Sequence, residues 1–502
     1  MPQRPNILYV MSDDHAANAI SCYGSRLSQV LSTPNMDRLG AEGVRLNRYY
    51  STNSICTPAR ATVMTGQYGH VNGVRTLSDH WDPSCRENLA RLLRDAGYTT
   101  AMIGKWHLHC YPDGFDFFDI LPGQGVYQNP DFLDQSTPRE HLEQDNHERL
   151  PGNRHEGYVT DIITEKSIGW LRQRDTSKPF FMMCHHKAPH DFWEYAERHE
   201  GLFDGVDIPV PDSLFEDKNH RSEGSRAFGS TVSPRNKVRS LYRDFLRPRY
   251  VTGPLVGTEE MTFEEKAVAA YQKYLKDYLR TVAGIDDSIG SLLDELEAQG
   301  ELDNTVVIYT SDQGMFLGEH DYQDKRWSYE ESLQAPFLVR YPGEIPTGTV
   351  SEQLLSNLDV APTLLDYAGV TPPESMQGES FRDRLANPAA PGRDAIYFRY
   401  WMHLAHRHQN PAHFGIRTER WKLICYYGLP LDASGALAVE TPGGWELYDM
   451  QNDPFELRNV YEEPSLAETV AGLKGRLHEL REQYGDTDAR YPALLDKLDE
   501  MG

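Results

Sequence analysis

The chain has 502 residues, 39% of them hydrophobic, which is enough to bury one large domain and a smaller one and excludes wholesale disorder. Its 50 Lys and Arg stand against 75 Asp and Glu, a formal net charge of −25. That balance excludes general nucleic-acid binding, and it requires any site for an anion to be a local basic or metallic pocket in an acidic protein.

The six cysteines (Cys22, Cys56, Cys85, Cys110, Cys184, Cys425) show no paired or ladder spacing, so neither a zinc cluster nor a disulfide scaffold is expected. The chain passes from Met1-Pro2-Gln3-Arg4-Pro5 straight into an apolar strand. It has no signal-like apolar stretch with a cleavage site and no run long enough to span a bilayer. A cytoplasmic protein without a membrane partner is the direct expectation, and a secreted chain trimmed of its signal reads the same.

Asn6–Met11 is a continuous apolar run of the kind found in buried parallel strands, and it ends in Ser12-Asp13-Asp14-His15. Adjacent carboxylates at a strand's carboxyl end repel one another unless a cation holds them, but Asp also serves in solvated loops and helix N-caps. A helix over 34–43 and a strand over 44–50 lead to Cys56-Thr57-Pro58-Ala59-Arg60. Pro58 suits a first helical turn, which puts Cys56 at a helix N-terminus and Arg60 one turn on, on the same face. A buried structural cysteine is the plain alternative.

Gly97–His107 predicts a strand delivering Lys105 and His107 at its end. Residues 111–156, rich in Asp, Gly, Pro and Asn, read as a long loop, and 157–173 as a helix. The strand Phe180–Cys184 ends in His185-His186-Lys187-Ala188-Pro189-His190, whose spacing matches no standard zinc motif. Residues 200–260 read as an irregular surface insertion, basic at Arg235, Lys237, Arg239, Arg243, Arg247 and Arg249, with saccharide contact as the other reading. Residues 262–299 are helical, as one helix or two.

Thr305–Thr310 is a β-rich run ending in Ser311-Asp312-Gln313-Gly314, followed by Asp324-Lys325-Arg326. A strand over 334–341 and a helix over 358–369 come next. From about 380 the pattern changes to strands near 395–401, 413–427 and 445–449 and a helix over 465–485. The expected fold is α/β: a large, mostly parallel sheet flanked by helices in a domain of residues 1–380, with a smaller antiparallel sheet and helix in 381–502.

The motif Cys56-x-Pro58-Ala59-Arg60, with Thr65-Gly66 following, resembles the signature of the type I sulfatases of the alkaline phosphatase superfamily. The other motifs occur in that family's order along nearly the whole chain. The resemblance implies that Cys56 is oxidised by a formylglycine-generating enzyme to formylglycine, an aldehyde acting as its hydrate. It implies Asp13, Asp14, Asp312 and Gln313, with the modified Cys56, as ligands of Ca²⁺ or Mg²⁺. Gln313 departs from the usual Asn or His and is one methylene longer than Asn. Lys105 and Lys325 are implied to bind sulfate, with Arg60 beside them. His107 is implied to orient the hydrate and His190 to protonate the leaving oxygen, with Lys187 as a further sulfate or substrate contact.

The donors alone support part of this. Two Asp-rich strand ends and an amide offer only oxygen, which suits a hard cation, and a soft thiolate beside such an ion is mismatched until it is oxidised. In the implied reaction one hydroxyl of the hydrate attacks sulfur, and the second expels sulfate as the aldehyde re-forms.

Lys187-Ala188-Pro189-His190, Ser311-Asp312-Gln313-Gly314 and His413–Arg420 with Trp445–Asp449 resemble the bacterial carbohydrate sulfatases. The expected substrate is therefore a sulfated saccharide, hexosamine 6-sulfate being one member of that group. His413 and Arg417 are then candidates for the site mouth, Arg417 being equally a salt-bridged strand residue. An arylsulfatase and a phosphonate or phosphate monoester hydrolase are the alternative enzymes. A catalytically dead glycan-binding protein is the alternative from another class, disfavoured because every core position is filled.

Overall fold

The computed structural model describes residues 4–82, 87–143, 150 and 152–502, so Cys85 lies outside the described residues. The apolar runs form β1 (Asn6–Ser12), β2 (Val44–Leu46), β3 (Thr99–Lys105), β4 (Phe117–Leu121), β5 (Asp131–Asp134), β6 (Asn153–Arg154), β7 (Phe180–His185), β8 (Thr305–Ser311), β9 (Phe337–Arg340) and β10 (Thr349–Ser351). These ten strands make one sheet in the order β10-β2-β9-β8-β1-β7-β3-β4-β5-β6.

The middle five, β8-β1-β7-β3-β4, are parallel, and β9 runs antiparallel to both β8 and β2. Register aligns the strand ends: Ser12 pairs with Ser311, and Met11 and Gly104 both pair with His185. The carboxyl ends of β1, β3, β7 and β8 therefore open onto one edge, where α/β sheets place their ligands.

Side chains of β1 alternate between two cores. Ile7, Tyr9 and Met11 pack with Phe181, Met183, Val306 and Ile308 on one face. Leu8 and Val10 pack with Met182, Cys184, Val307 and Tyr309 on the other, under Ile285 and Ile289 of the long helix. Each fully buried Leu, Ile or Val contributes roughly 1.5–3 kcal/mol, so the central strands anchor the sheet.

Five helices matter for the site: α1 (Pro34–Glu42), α2 (Cys56–Thr65), α3 (Val159–Gln173), α4 (Leu241–Phe245) and α5 (Phe263–Ala298). The last is one unbroken helix of 36 residues, opened by a Thr262–Glu265 capping box. Gly284 does not divide it; the Tyr158 ring packs there at an ordinary contact distance, 3.4 Å from where a Cβ would lie.

The second sheet is antiparallel, β11 (Ala395–Tyr400), β12 (His413–Thr418), β13 (Trp421–Tyr426) and β14 (Gly444–Asp449) in sequential order. Leu473, Leu477 and Leu480 of α6 (Ala467–Tyr484) cover Phe414, Ile416, Leu423 and Cys425.

The stretch read as a loop over 111–156 instead carries β4, β5 and β6 among its described residues. The charge of Asp119 conceals β4 in the sequence; in the fold Lys166 of α3 neutralises it at 2.5 Å. Among the described residues, no helix is long and apolar enough to cross a membrane.

Candidate active site

Cys56 is the first residue of α2, whose N-cap, Ile55, offers no side-chain hydrogen bond, so the helix's first N–H groups and positive dipole end face the Cys56 position. Every residue of α2 is buried. Burial pushes the Cys56 thiol up to about 12, with Lys325 pulling the other way. The unmodified side chain is thus a neutral thiol at pH 7, a poor nucleophile. Its Sγ lies 3.3 Å from Asp13 Oδ1.

The two acidic strand ends meet above it. Ligand oxygens of Asp13, Asp14 and Asp312 lie within 4.8 Å of one another, as do single ligand atoms of Asp13, Cys56 and His190. Asp14 and Gln313 donate from their backbone N–H groups to Asp312 Oδ1 at 3.3 and 3.1 Å. Gln313 Nε2 donates to Asp14 Oδ1 at 2.5 Å. Asp14 has a left-handed backbone, φ 66°, and its carbonyl accepts from Tyr278 of α5 at 2.8 Å. Burial pushes Asp14 up to about 7, against the pull of Lys325.

Three cations face these three carboxylates. Arg60 Nε donates to Asp312 Oδ2 at 3.0 Å, and its Nη1 to the carbonyl of Lys105 at 2.7 Å. The Lys105 ammonium closes on both Asp13 and Gln124. Lys325 Nζ lies 2.6 Å from Asp14 Oδ2. Burial, reinforced by neighbouring Lys187, holds Lys105 well below the usual lysine range. Burial also works against the charge of Lys325, but the Asp14 carboxylate outweighs it and holds that lysine high.

Gly104, immediately before Lys105, has φ +98°, and a Cβ there would lie 2.0 Å from the His185 carbonyl oxygen. Only glycine lets β3 and β7 close at this point. His107 follows β3 in a left-handed conformation, φ 55°, and reaches Gln124 Nε2 at 3.4 Å, so Gln124 joins Lys105 to His107.

His190 stands beside the same carboxylates. Its Nε2 lies 3.7 Å from Asp14 Oδ2, and its Nδ1 lies 2.7 Å from Asp191 Oδ1 and 2.9 Å from the Asp191 carbonyl. Acceptors on the Nδ1 side place the proton there and turn Nε2 toward the carboxylates. Burial first, then Lys325, pushes the His190 imidazole down to about 3. Arg239 Nη2 approaches Asp191 Oδ2 at 3.3 Å, and His408 Nδ1 lies 2.8 Å from Asp324 Oδ2. His107, Gln124, His190, Asp191, Arg239 and Lys325 line a cleft of about 670 Å³, together with Asp324, Arg326 and His408.

The structure thus brings together Asp13, Asp14, Cys56, Arg60, Lys105, His107, His190, Asp312, Gln313 and Lys325. It does not bring three other candidates to the cleft. Lys187 is buried with its ammonium over the Tyr127 ring at 4.8 Å and does not line the cleft. His413 is 1% exposed, stacked between Trp327 and Tyr400, with its Nδ1 on the Pro411 carbonyl at 2.8 Å; it is a core ring rather than a mouth residue. Arg417 pairs with Glu330 at 3.0 Å and lines a separate depression, so the salt-bridged reading of it holds. Residues that sequence reasoning missed are Gln124, Asp191 and His408, whereas Arg239 was among the basic residues for which saccharide contact was one reading. Asp191 had the signal of adjacency to His190.

The donor set fits a divalent cation. Three buried carboxylates and Gln313 Oε1, which is buried without a hydrogen-bond partner, offer hard oxygen. The ammonium groups of Lys105 and Lys325 lie against two of those carboxylates, as counter-charge at the same place.

Comparison with known proteins agrees with this geometry. A family profile described as Sulfatase matches residues 5–370, and one described as N-sulphoglucosamine sulphohydrolase, C-terminal, matches residues 318–483. An N-acetylglucosamine-6-O-sulfatase of Bacteroides thetaiotaomicron is 38% identical over 97% of this chain and 88% of that protein. A solved structure of a protein in complex with its substrate D-glucosamine-2-N,6-O-disulfate superposes with a TM-score of 0.83 at 37% identity, covering 98% of this chain and 100% of that one. The phosphonate monoester hydrolase of Agrobacterium radiobacter shares the fold, with a TM-score of 0.69 at 22% identity over 96% of both chains.

Proposed function

The chain belongs to the sulfatase family and is a sulfuric ester hydrolase, and we propose that its substrate is a glucosamine-type sugar sulfated at O6. The observation that carries this reading is the convergence of Cys56, three carboxylates and three cations on a buried floor that meets the cleft at His190 and Lys325, which line it. The floor is deeply buried, Asp13 and Lys105 at 0% exposure and Cys56 at 1%. A sulfate on an exocyclic CH₂ projects from the sugar and reaches such a floor while the ring stays in the cleft. The relatives named for 6-sulfated glucosamine support the same choice.

Asp13, Asp14, Asp312 and Gln313 would hold the divalent ion, which supplies positive charge to the sulfuryl oxygens; their all-oxygen set favours Ca²⁺, with Mg²⁺ the stricter alternative. Cys56, after conversion to formylglycine by a maturation enzyme, supplies the nucleophile as an aldehyde hydrate.

Lys105 and Lys325 leave Asp13 and Asp14 to take the sulfuryl oxygens. Arg60 stays anchored on Asp312 and the Lys105 carbonyl and keeps the floor rigid. His107 is steadied through Gln124, which also holds Lys105, and takes the role of orienting the hydrate. His190 presents Nε2 to the ester oxygen and donates the proton that lets the sugar leave. The ring must be cationic to do so. Asp191 at Nδ1 and the negative charge arriving with the ester both favour that form. Asp191 is a positioning residue.

The test is sulfate release from N-acetylglucosamine 6-sulfate beside its 3- and 4-sulfate isomers. A preference for the 6-sulfate of about 100-fold or more in kcat/KM is expected. Equal rates across the isomers, or turnover confined to another position, would overturn the assignment.

A further inference from the structure

The segment 235–249 carries six cations, Arg235, Lys237, Arg239, Arg243, Arg247 and Arg249, and a single acid, Asp244, in a chain whose net charge is −25. The fold assembles this segment beside the cleft. Arg239 lines the cleft itself, and the neighbouring segment contributes His406 and His408 to the same wall, with Arg407 between them.

Two exposed arginines fasten the lip without spending their charge. Arg243 donates to the carbonyls of Asn236 and Pro234, the latter at 3.2 Å, and Arg407 to the carbonyl of Val238 at 3.0 Å. Asn236 Nδ2 ties the two segments through Gln409 Oε1 at 2.8 Å. Lys237, Arg243, Arg249 and Arg407 are all exposed, and among the described residues none has a carboxylate partner within ion-pair distance, whereas Arg247 is paired with Asp244 at 2.6 Å. Arg235 and Arg239 are likewise held by Asp321 and Asp191, at 3.4 and 3.3 Å, so the uncompensated charge is that of Lys237, Arg243, Arg249 and Arg407, which lie in sequence beside the cleft-lining Arg239, His406 and His408 and outside the catalytic floor.

We propose that this lip is a binding surface for the rest of a polyanionic saccharide chain, so that the enzyme takes its 6-sulfated sugar from an oligosaccharide carrying further sulfate or carboxylate groups. The proposal rests on the sulfated-sugar reading of the cleft. An uncompensated cationic face would attract the general anions of the medium as readily as a saccharide; its place beside the cleft-lining residues is what selects a ligand already held there by its terminal sugar. Exposed ion pairs are each weak and screened by salt, so the surface acts through several contacts and fades as ionic strength rises.

The experiment compares wild type with the triple variant Lys237→Gln, Arg243→Gln, Arg407→Gln. These side chains lie outside the catalytic machinery. KM is measured for N-acetylglucosamine 6-sulfate and for a sulfated tetrasaccharide bearing that sugar at its end. At low salt the variant's KM for the tetrasaccharide should rise by about tenfold, three weak contacts together, while KM for the monosaccharide stays within about twofold. The wild-type preference for the tetrasaccharide should fall as salt is raised.

An unchanged tetrasaccharide KM in the variant, or a wild-type preference insensitive to salt, would overturn the proposal. Calorimetric binding of a sulfated tetrasaccharide without the terminal 6-sulfate separates the two readings. Tight binding by wild type and weak binding by the variant support the lip even if no substrate turns over. An RNA oligonucleotide of equal charge that binds wild type as tightly, and loses as much in the variant, would instead make the face a general polyanion site and overturn the saccharide assignment.

Discussion

His190 Nδ1 lies 2.7 Å from Asp191 Oδ1, so the side chain that faces the carboxylate floor is held from behind by the residue that follows it. The pair is neighbour to neighbour in sequence, yet its two ends do different work: Nε2 toward the ester, Nδ1 toward a fixed negative charge. Asp191→Asn keeps the shape and removes the charge. We expect kcat on the sugar sulfate to fall by about 100-fold, because an alkoxide leaving group needs the proton. An aryl sulfate with a good leaving group should lose less than about tenfold. Equal losses on both substrates would show that Asp191 serves structure rather than proton delivery.

The carboxylate cluster should couple a divalent ion to folding. Chelator treatment is expected to lower Tm by about 5 °C and added Ca²⁺ to restore it, since a ligand bound only by the folded state stabilises it by mass action. Asp312→Asn removes one of the three carboxylates and the partner of Arg60. That variant should melt at the same temperature with or without chelator. A Tm in wild type that ignores both chelator and Ca²⁺ would contradict the ligand set.

Gly104→Ala places a methyl 2.0 Å from the His185 carbonyl oxygen at φ +98°. A strained backbone and a clash between two central strands should cost about 3 kcal/mol or more. Thermal melting followed by circular dichroism measures it. A melt within a degree of wild type would mean the two strands can part here at little cost.

How much of this was legible in sequence depended on the kind of signal. The strand ends were legible because an uninterrupted apolar run such as Asn6–Met11 or Thr305–Thr310 has to be a buried strand, and the polar residues after it must then emerge at the sheet's ligand edge. Cys56 and Arg60 were legible because helical spacing puts them on one side of α2.

His413 and Arg417 were not. They share a face of β12, but period 2 does not say whether that face meets the cleft or the core, and Trp327 and Glu330 decide it from 86 and 87 residues away. Gln124, Arg239 and His408 reach the cleft from three segments whose polar, Gly- and Pro-broken sequences carry no periodicity at all. β4 was hidden by Asp119, whose charge is answered by Lys166 on a separate helix.

His413 gives a pH prediction away from the catalytic floor. Burial pushes its imidazole down to about 4 from an ordinary 6.5. The folded state therefore keeps it neutral while the unfolded chain binds a proton below 6.5. Its stabilising contribution is complete above about pH 6.5 and is lost as pH falls toward 4, about 2 kcal/mol of it by pH 5. His413→Phe keeps the stack between Trp327 and Tyr400 and removes the titration. In urea unfolding, the gap between pH 7.5 and pH 5 should narrow in the variant by that amount; an unchanged gap would show that His413 is not buried as a neutral ring.

The central claim is that the oxidised form of Cys56 is the nucleophile. It is tested most directly by the mass of the Cys56 peptide from protein co-produced with a formylglycine-generating enzyme and shown to release sulfate from N-acetylglucosamine 6-sulfate. The aldehyde or its hydrate at residue 56 is the predicted result. A preparation that turns over fully while every Cys56 remains a thiol would contradict it.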